Sequence, residues 1–213
     1  MVLVVLFGVT TMVATETLYM SYTQHACGMF HIVSTRIEQV LRGGATRDAV
    51  SVAERNLMMC HGIIDAVNIH KKAIEFIEMA KTNFAFAYMM ALPLGVLSLS
   101  INLYRLSRLI MTDNYHETII SSVFISGHFW YIFFCNYIGQ EVIDHSGDIF
   151  YKIYNARWYA SSLKAQKLLL LVMQRSMRHC TIIMGGLFVP SLEGFATLTN
   201  MSVSYFMVIH SVS

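Results

Sequence analysis

The chain of 213 residues draws 55% of its positions from Ala, Val, Ile, Leu, Met, Phe, Trp, Tyr and Cys, and only 13% from charged residues. That is about half the charge of a typical soluble protein, roughly 25%, and too little to coat a soluble globule, while a net charge of +2 excludes an electrostatically driven nucleic-acid binder. Two prolines and twelve glycines exclude collagen-like and linker-like chains.

The charges crowd into a few segments separated by long uncharged runs, a membrane-protein pattern. The first run opens the chain: Met1 to Thr15 is uncharged, Glu16 interrupts, and Thr17 to Thr35 is uncharged again. A secretory leader is the rival reading of this start, but there is no basic n-region and the apolar character continues past Glu16 to Val33. A first spanning helix over 1–35 is expected.

Residues 36–81 carry seven Lys and Arg. Gly43-Gly44 is expected to break the chain after the first span, and Ser51-Val52-Ala53-Glu54 fits a capping box. Beyond it, Val50, Ala53, Leu57, Cys60, Ile64 and Val67 recur at steps of three and four. This stripe predicts a long amphipathic helix, packed on another segment or lying on the membrane surface.

Thr82 to Tyr104 and Thr118 to Gln140 are each 23 residues without Lys, Arg, Asp or Glu. As helices they would measure about 35 Å, enough to cross a hydrocarbon core of about 30 Å. Residues 105–117 form the loop between them. Residues 141–180 are a basic connection holding the short run Leu168 to Met173, which reads as a half-helix leading into a last span over 181–213, loosened by Gly185-Gly186 and Pro190. The fold expected is therefore all-α: a polytopic membrane helical bundle with four spans plus cytoplasmic helices.

The first and third connections carry thirteen Lys and Arg against two, Arg105 and Arg108, in the second. The positive-inside rule puts those two connections in the cytoplasm and both ends of the chain outside. An extracellular start without a leader suggests that the chain begins partway through a longer one.

In the last span Glu193, Thr197, Asn200, Ser204, Val208 and Ser211 are separated by 4, 3, 4, 4 and 3 residues, one continuous helical face. A mostly polar stripe in hydrocarbon must meet water or protein. It reads equally as a pore lining with Val208 as a dewetting constriction, or as a helix–helix seam glued by hydroxyls and an amide.

Cys27, Cys60, Cys135 and Cys180 show no CxxC pairing, so neither a disulfide framework nor a zinc site is supported. His25 and His31 are six apart and do not stack on one helical face, and His61 and His70 read as solvated. Asn200-Met201-Ser202 is a formal glycosylation sequon inside the last span, where it should be unreachable. No phosphate-binding loop, HExxH or nucleophile elbow is present, so neither an enzyme nor a cofactor is expected.

The C-terminal third resembles the insect odorant receptor family. The resemblance is carried by Asn136-Tyr137-Ile138-Gly139-Gln140, Ser146, Ile153-Tyr154, Trp158, Gln166-Lys167, Gln174-Arg175-Ser176, Gly185-Gly186 and Ser204-Tyr205-Phe206. It implies a seven-span fold with an extracellular C-terminus, of which this chain would supply the fourth to seventh spans. It also implies an odorant-gated non-selective cation channel acting in smell, in which a small volatile odorant is the ligand and the lipid bilayer the medium. Four subunits, usually including an odorant co-receptor, would surround a pore lined by the last helix, with cytoplasmic helices as the anchor. Carried over by position, the hydrophobic gate falls on Val208 and the polar position beyond it on Ser211, which favours pore lining over a seam. An odorant pocket is then expected among the outer halves of the first and third spans, from Val13, Thr17 and Met20 on one and Ser121, Phe124, His128 and Tyr131 on the other. The related gustatory receptors and a secondary-transporter fragment, with Glu16 and Glu193 as coupling acids, are the alternatives.

Overall fold

A computed structural model describes residues 2–46, 51–111, 114–183 and 188–212. The described chain is helical: α1 (Val2–Thr46), α2 (Val52–Ile110), α3 (Tyr115–Asn155), a 3-10 turn at Trp158–Ala160, α4 (Leu163–Ser176) and α5 (Leu192–Val212). Among the described residues, two helices are long and apolar enough to cross a membrane, α2 with 59 residues and α3 with 41. Each joins an uncharged run to a charged segment without a break, and α2 continues through Pro93.

Several expected boundaries move. Gly43-Gly44 does not end the first helix, which runs on to Thr46; a helical glycine costs only about 1 kcal/mol, which a long helix absorbs. The loop after the second uncharged run shrinks to the few residues between Ile110 and Tyr115, and Arg105 pairs with Glu117 across it at 3.4 Å. The last described helix starts at Leu192, not near Thr181. Gly185 and Gly186 lie outside the described residues.

The chain divides into two compact units, Met1–Ala80 with Glu141–Thr181, and Lys81–Gln140 with Ile182–Ser213. In the first unit the second half of α1 runs antiparallel to the start of α2. Tyr22 stacks on Phe76 with ring centroids 5.2 Å apart, Phe30 meets the His70 ring at 6.0 Å, and Val40 fills the space left by Gly62. Tyr19, Thr23, Ala26, Phe30, Val33 and Ile37 are buried along α1, Ile63, Ala66, His70, Ala73, Ile77 and Ala80 along α2, and Val142, Ser146, Ile149 and Ile153 along α3. Steps of three and four in each give a coiled-coil-like seam.

This packing corrects two readings. The stripe expected on α2 is rotated by one position: Leu57 is 60% and Ile64 38% exposed, and of the expected residues that are described only Cys60 is buried, Val50 lying outside the described residues. The buried face is instead marked by alanines, which allow close helix approach, and by His70, expected in solvent but 4% exposed. Burial, with Arg175 as a second influence, pushes His70 down to about 4. The uncharged stretch after Leu18 includes Tyr19, Ala26, Phe30 and Val33, which are buried, and Tyr22 and Phe30, which meet α2, so its lack of charge accords with helix packing as well as with a bilayer.

The connection after α3 is held by residues singled out for the resemblance. Gln166 donates from Nε2 to the carbonyls of Tyr159 at 2.7 Å and Ser161 at 2.8 Å, closing the turn before α4. Ser146 Oγ accepts the Cys180 N–H at 2.9 Å, and a Cβ at Gly147 would lie 2.6 Å from the His179 ring. Burial raises the Cys180 thiol above its usual range, with Arg175 opposing the shift. α4 buries Ala165, Leu169, Val172, Met173 and Ser176, the inward face of the expected half-helix.

Candidate functional site: the outward face of the last helix

In the second unit α5 is positioned by its N-terminus and by one buried face. Ser191 caps it, its Oγ accepting the Gly194 N–H at 3.0 Å. Two α3 side chains reach the same end: Asn136 Oδ1 accepts the Ser191 N–H at 3.2 Å and Gln140 Oε1 the Leu192 N–H at 3.3 Å. The Asn136 amide is oriented by its own bond from Nδ2 to the Ile132 carbonyl at 2.8 Å. Between them, Gly139 lets the backbones touch, since a Cβ there would fall 2.3 Å from the Pro190 carbonyl oxygen. Asn136, Gly139 and Gln140 thus form a clamp on orphan helix-end donors.

The buried face of α5 is Leu198 and Ser202. Leu198 joins a core with Val96, Leu99 and Ile132, Phe195 meets Phe129 and Phe133 edge to face at 5.1 and 5.4 Å, and Ser100 Oγ donates to the Ser202 carbonyl at 3.0 Å. At 3.6 residues per turn, Glu193, Thr197, Asn200, Ser204, Val208 and Ser211 fall within an arc of about 80° on the opposite side. All six are exposed in the single chain, Val208 by 59%. Thr197, Ser204 and Ser211 bond back to the carbonyls of Glu193, Asn200 and Val208 at 3.0, 2.8 and 2.8 Å. Their polar hydrogens are thereby satisfied without a neighbouring helix.

The residues expected in a ligand pocket divide. Val13 and Thr17 are exposed and Met20 half-buried on α1, in the first unit, and Thr17 Oγ1 bonds back to Val13 at 2.7 Å. On α3, in the second unit, Phe124 is 69% exposed. Ser121 is buried, two turns from His128, and Ser121 Oγ and His128 Nε2 are buried atoms with no hydrogen-bond partner among the described residues. His128 packs edge-on to Tyr131 at 6.5 Å and lies 3.9 Å from where a Cβ of Gly95 would stand. Beside it, Tyr88, Leu92, Gly95, Tyr131, Cys135 and Phe188 line a small apolar cavity of about 40 Å³. Apart from Tyr131 these lining residues escaped the sequence reading.

The described chain is thus helical, with two helices long and apolar enough to cross a membrane and a terminal helix clamped at its start through an Asn-x-x-Gly-Gln segment. The chain belongs to the 7tm odorant receptor family, whose sequence model, described as 7tm Odorant receptor, matches residues 1–203. It is 27% identical over 157 residues to odorant receptor Or2 of Anopheles gambiae, covering 70% of this chain and 38% of that receptor. To the odorant receptor coreceptor of Aedes aegypti it is 23% identical over 156 residues, covering 73% of this chain and 32% of that protein. The fold is similar to the insect olfactory receptor OR5 from Machilis hrabei, with a TM-score of 0.74 at 15% identity over 93% of this chain and 48% of that one. The same receptor solved in complex with eugenol gives 0.72 over 90% and 46%. The chain spans less than half the length of these relatives. The family match favours the odorant receptor reading over the gustatory and transporter alternatives.

Proposed function

We propose that this chain forms the C-terminal portion of an odorant-gated, non-selective cation channel subunit, with four spans and both ends outside the cell, and with α5 lining a central pore. The observation that carries the reading is the placement of the polar stripe: Glu193, Thr197, Asn200, Ser204, Val208 and Ser211 all lie opposite the packed face of α5. A seam within the subunit would have buried them. Val208 is the hydrophobic gate of that stripe and Ser211 the polar position beyond it. At 21 residues α5 measures about 32 Å, enough to cross a bilayer core.

The ligand is a small volatile odorant. Ser121 and His128 are polar candidates to meet it, because their buried, unpartnered atoms lack a hydrogen bond that a ligand hydroxyl or carbonyl would supply. Val13, Thr17, Met20, Phe124 and Tyr131 remain candidates for apolar or van der Waals contact. The subunit works in the plasma membrane within a tetramer that includes a co-receptor subunit. Eugenol, bound in the Machilis hrabei receptor, is a sensible first member of a test panel.

The test is electrophysiological. The chain, joined to the upstream spans of a relative, is expressed with and without co-receptor, and odorant-evoked cation current is recorded. Val208→Glu is expected to alter permeation or gating strongly. Absence of current across the panel, or currents unchanged by Val208→Glu, overturns the reading.

A further inference from the structure

At the end of the first unit away from the uncharged runs of α2 and α3, α1, the start of α2 and the end of α3 border a cavity of about 810 Å³, within the usual range of about 300–1,000 Å³ for small-molecule sites. Among the described lining residues four are cationic, Arg42, Arg55, Lys152 and Arg157, and Glu38 is the one carboxylate. Glu38 already pairs with Arg42 at 2.5 Å. Lys152 is steadied by donating from Nζ to Ser34 Oγ at 3.1 Å. Arg55 and Arg157 have no carboxylate partner among the described residues, and Asn155 adds an amide to the wall.

These side chains come from three separate stretches of chain, so folding is what gathers their charge. Like charges collected around a hollow raise the free energy of the empty site, and a bound anion lowers it. Guanidinium forks suit the oxygens of phosphate, two bonds at a time. The position along α2 decides which phosphate. Arg55 precedes Thr82, where the uncharged run of α2 begins, by 27 residues, about 40 Å of helix. A lipid headgroup at the edge of the bilayer would not reach a site that far along the helix, whereas a soluble anion reaches it freely.

We infer that this cavity is a binding site for a soluble, phosphate-rich anion of the size and charge of a nucleoside triphosphate or an inositol polyphosphate, held by Arg55, Lys152 and Arg157 with Arg42. Neither the outward face of α5 nor the residues around His128 take part. The supply of such anions from the cytoplasm rests on the orientation proposed above; binding by the purified protein does not.

Isothermal titration of the purified full chain in nanodiscs of neutral lipid tests it, with inorganic tripolyphosphate as the first probe. Inositol hexakisphosphate and ATP are then compared to separate the two sources. Saturable binding is expected, weakened at least about tenfold in Arg55→Gln/Arg157→Gln. Glu38→Gln, which removes the competing carboxylate, is expected to tighten binding, a gain that misfolding would not produce. Lys164→Gln/Lys167→Gln, exposed cations outside the cavity, should leave binding unchanged. Absence of saturable binding, equal loss in the Lys164/Lys167 variant, or binding only when phosphoinositide is included in the nanodisc would each overturn the inference.

Discussion

Asn136 in α3 accepts the backbone N–H of Ser191, the residue just before α5, at 3.2 Å. One buried amide therefore ties the middle of a long helix to the start of the helix whose outer face is the candidate pore lining. Asn136→Ala removes the acceptor and leaves the Ser191 N–H unpaired, which should cost about 1–3 kcal/mol. Gln140→Ala, at the more exposed Leu192 contact, should cost about 0.5–1 kcal/mol. Thermal unfolding of the two purified variants checks the order.

Gly139 and Gly127 lie in the same helix and make opposite predictions. A Cβ at Gly139 meets the Pro190 carbonyl at 2.3 Å, whereas one at Gly127 meets nothing within 4 Å. Gly139→Ala should push the lead-in of α5 off α3 and destabilise by at least about 2 kcal/mol, while Gly127→Ala should be neutral or stabilise by up to about 1 kcal/mol. A denaturant midpoint that falls equally in both would sink the close-approach argument.

The two faces of α5 should respond differently to chemistry. Single cysteines at Asn200, Ser204 and Ser211 are expected to react with small water-soluble thiol reagents in the assembled open channel and to reduce current. A cysteine at Ser202, which is buried, should stay unmodified. Leu198→Ala should cost about 2–5 kcal/mol of stability through loss of core packing and leave ion selectivity as it was.

His70 supplies a pH dependence with a defined sign. Its folded value, about 4, lies below the ordinary 6.5, so the unfolded chain takes up a proton that the folded chain refuses. Its contribution is absent above about 6.5. As pH falls from there toward 4 the folded state loses stability, at up to about 1.4 kcal/mol per pH unit, and below 4 the loss levels off. Comparing wild type with His70→Phe between pH 7.5 and 4.5 isolates this component. Equal slopes for the two proteins would show that His70 is not the group responsible.

The helical class, the two longest apolar runs and the polar face of α5 were legible in the sequence because each rests on a long-range pattern of charge and spacing. What escaped it depends on which partner a helix meets. An uncharged stretch is produced equally by hydrocarbon and by a tight helix seam, so the lack of charge beyond Leu18 does not reveal that Tyr19, Ala26, Phe30, Val33 and Ile37 are buried. On α2 the larger apolar residues suggested one face, but Ala66, Ala73 and Ala80 mark the other, where closeness outweighs apolar area. Asn136 and Gln140 were visible as parts of a resemblance, yet nothing in their order shows that they hold Ser191 and Leu192. That is a contact across 50 or more residues of chain.

The back-bonded hydroxyls of α5 have an electrostatic consequence. Thr197, Ser204 and Ser211 each commit their only polar hydrogen to their own helix, so toward a pore they offer oxygen lone pairs and no donor. With the Glu193 carboxylate at one end, such a wall, were it to line a pore, would replace part of the hydration shell of Na⁺, K⁺ or Ca²⁺ and offer chloride little besides the Asn200 amide. If α5 lines a pore as proposed, the direction of these three hydrogen bonds would favour cations over anions.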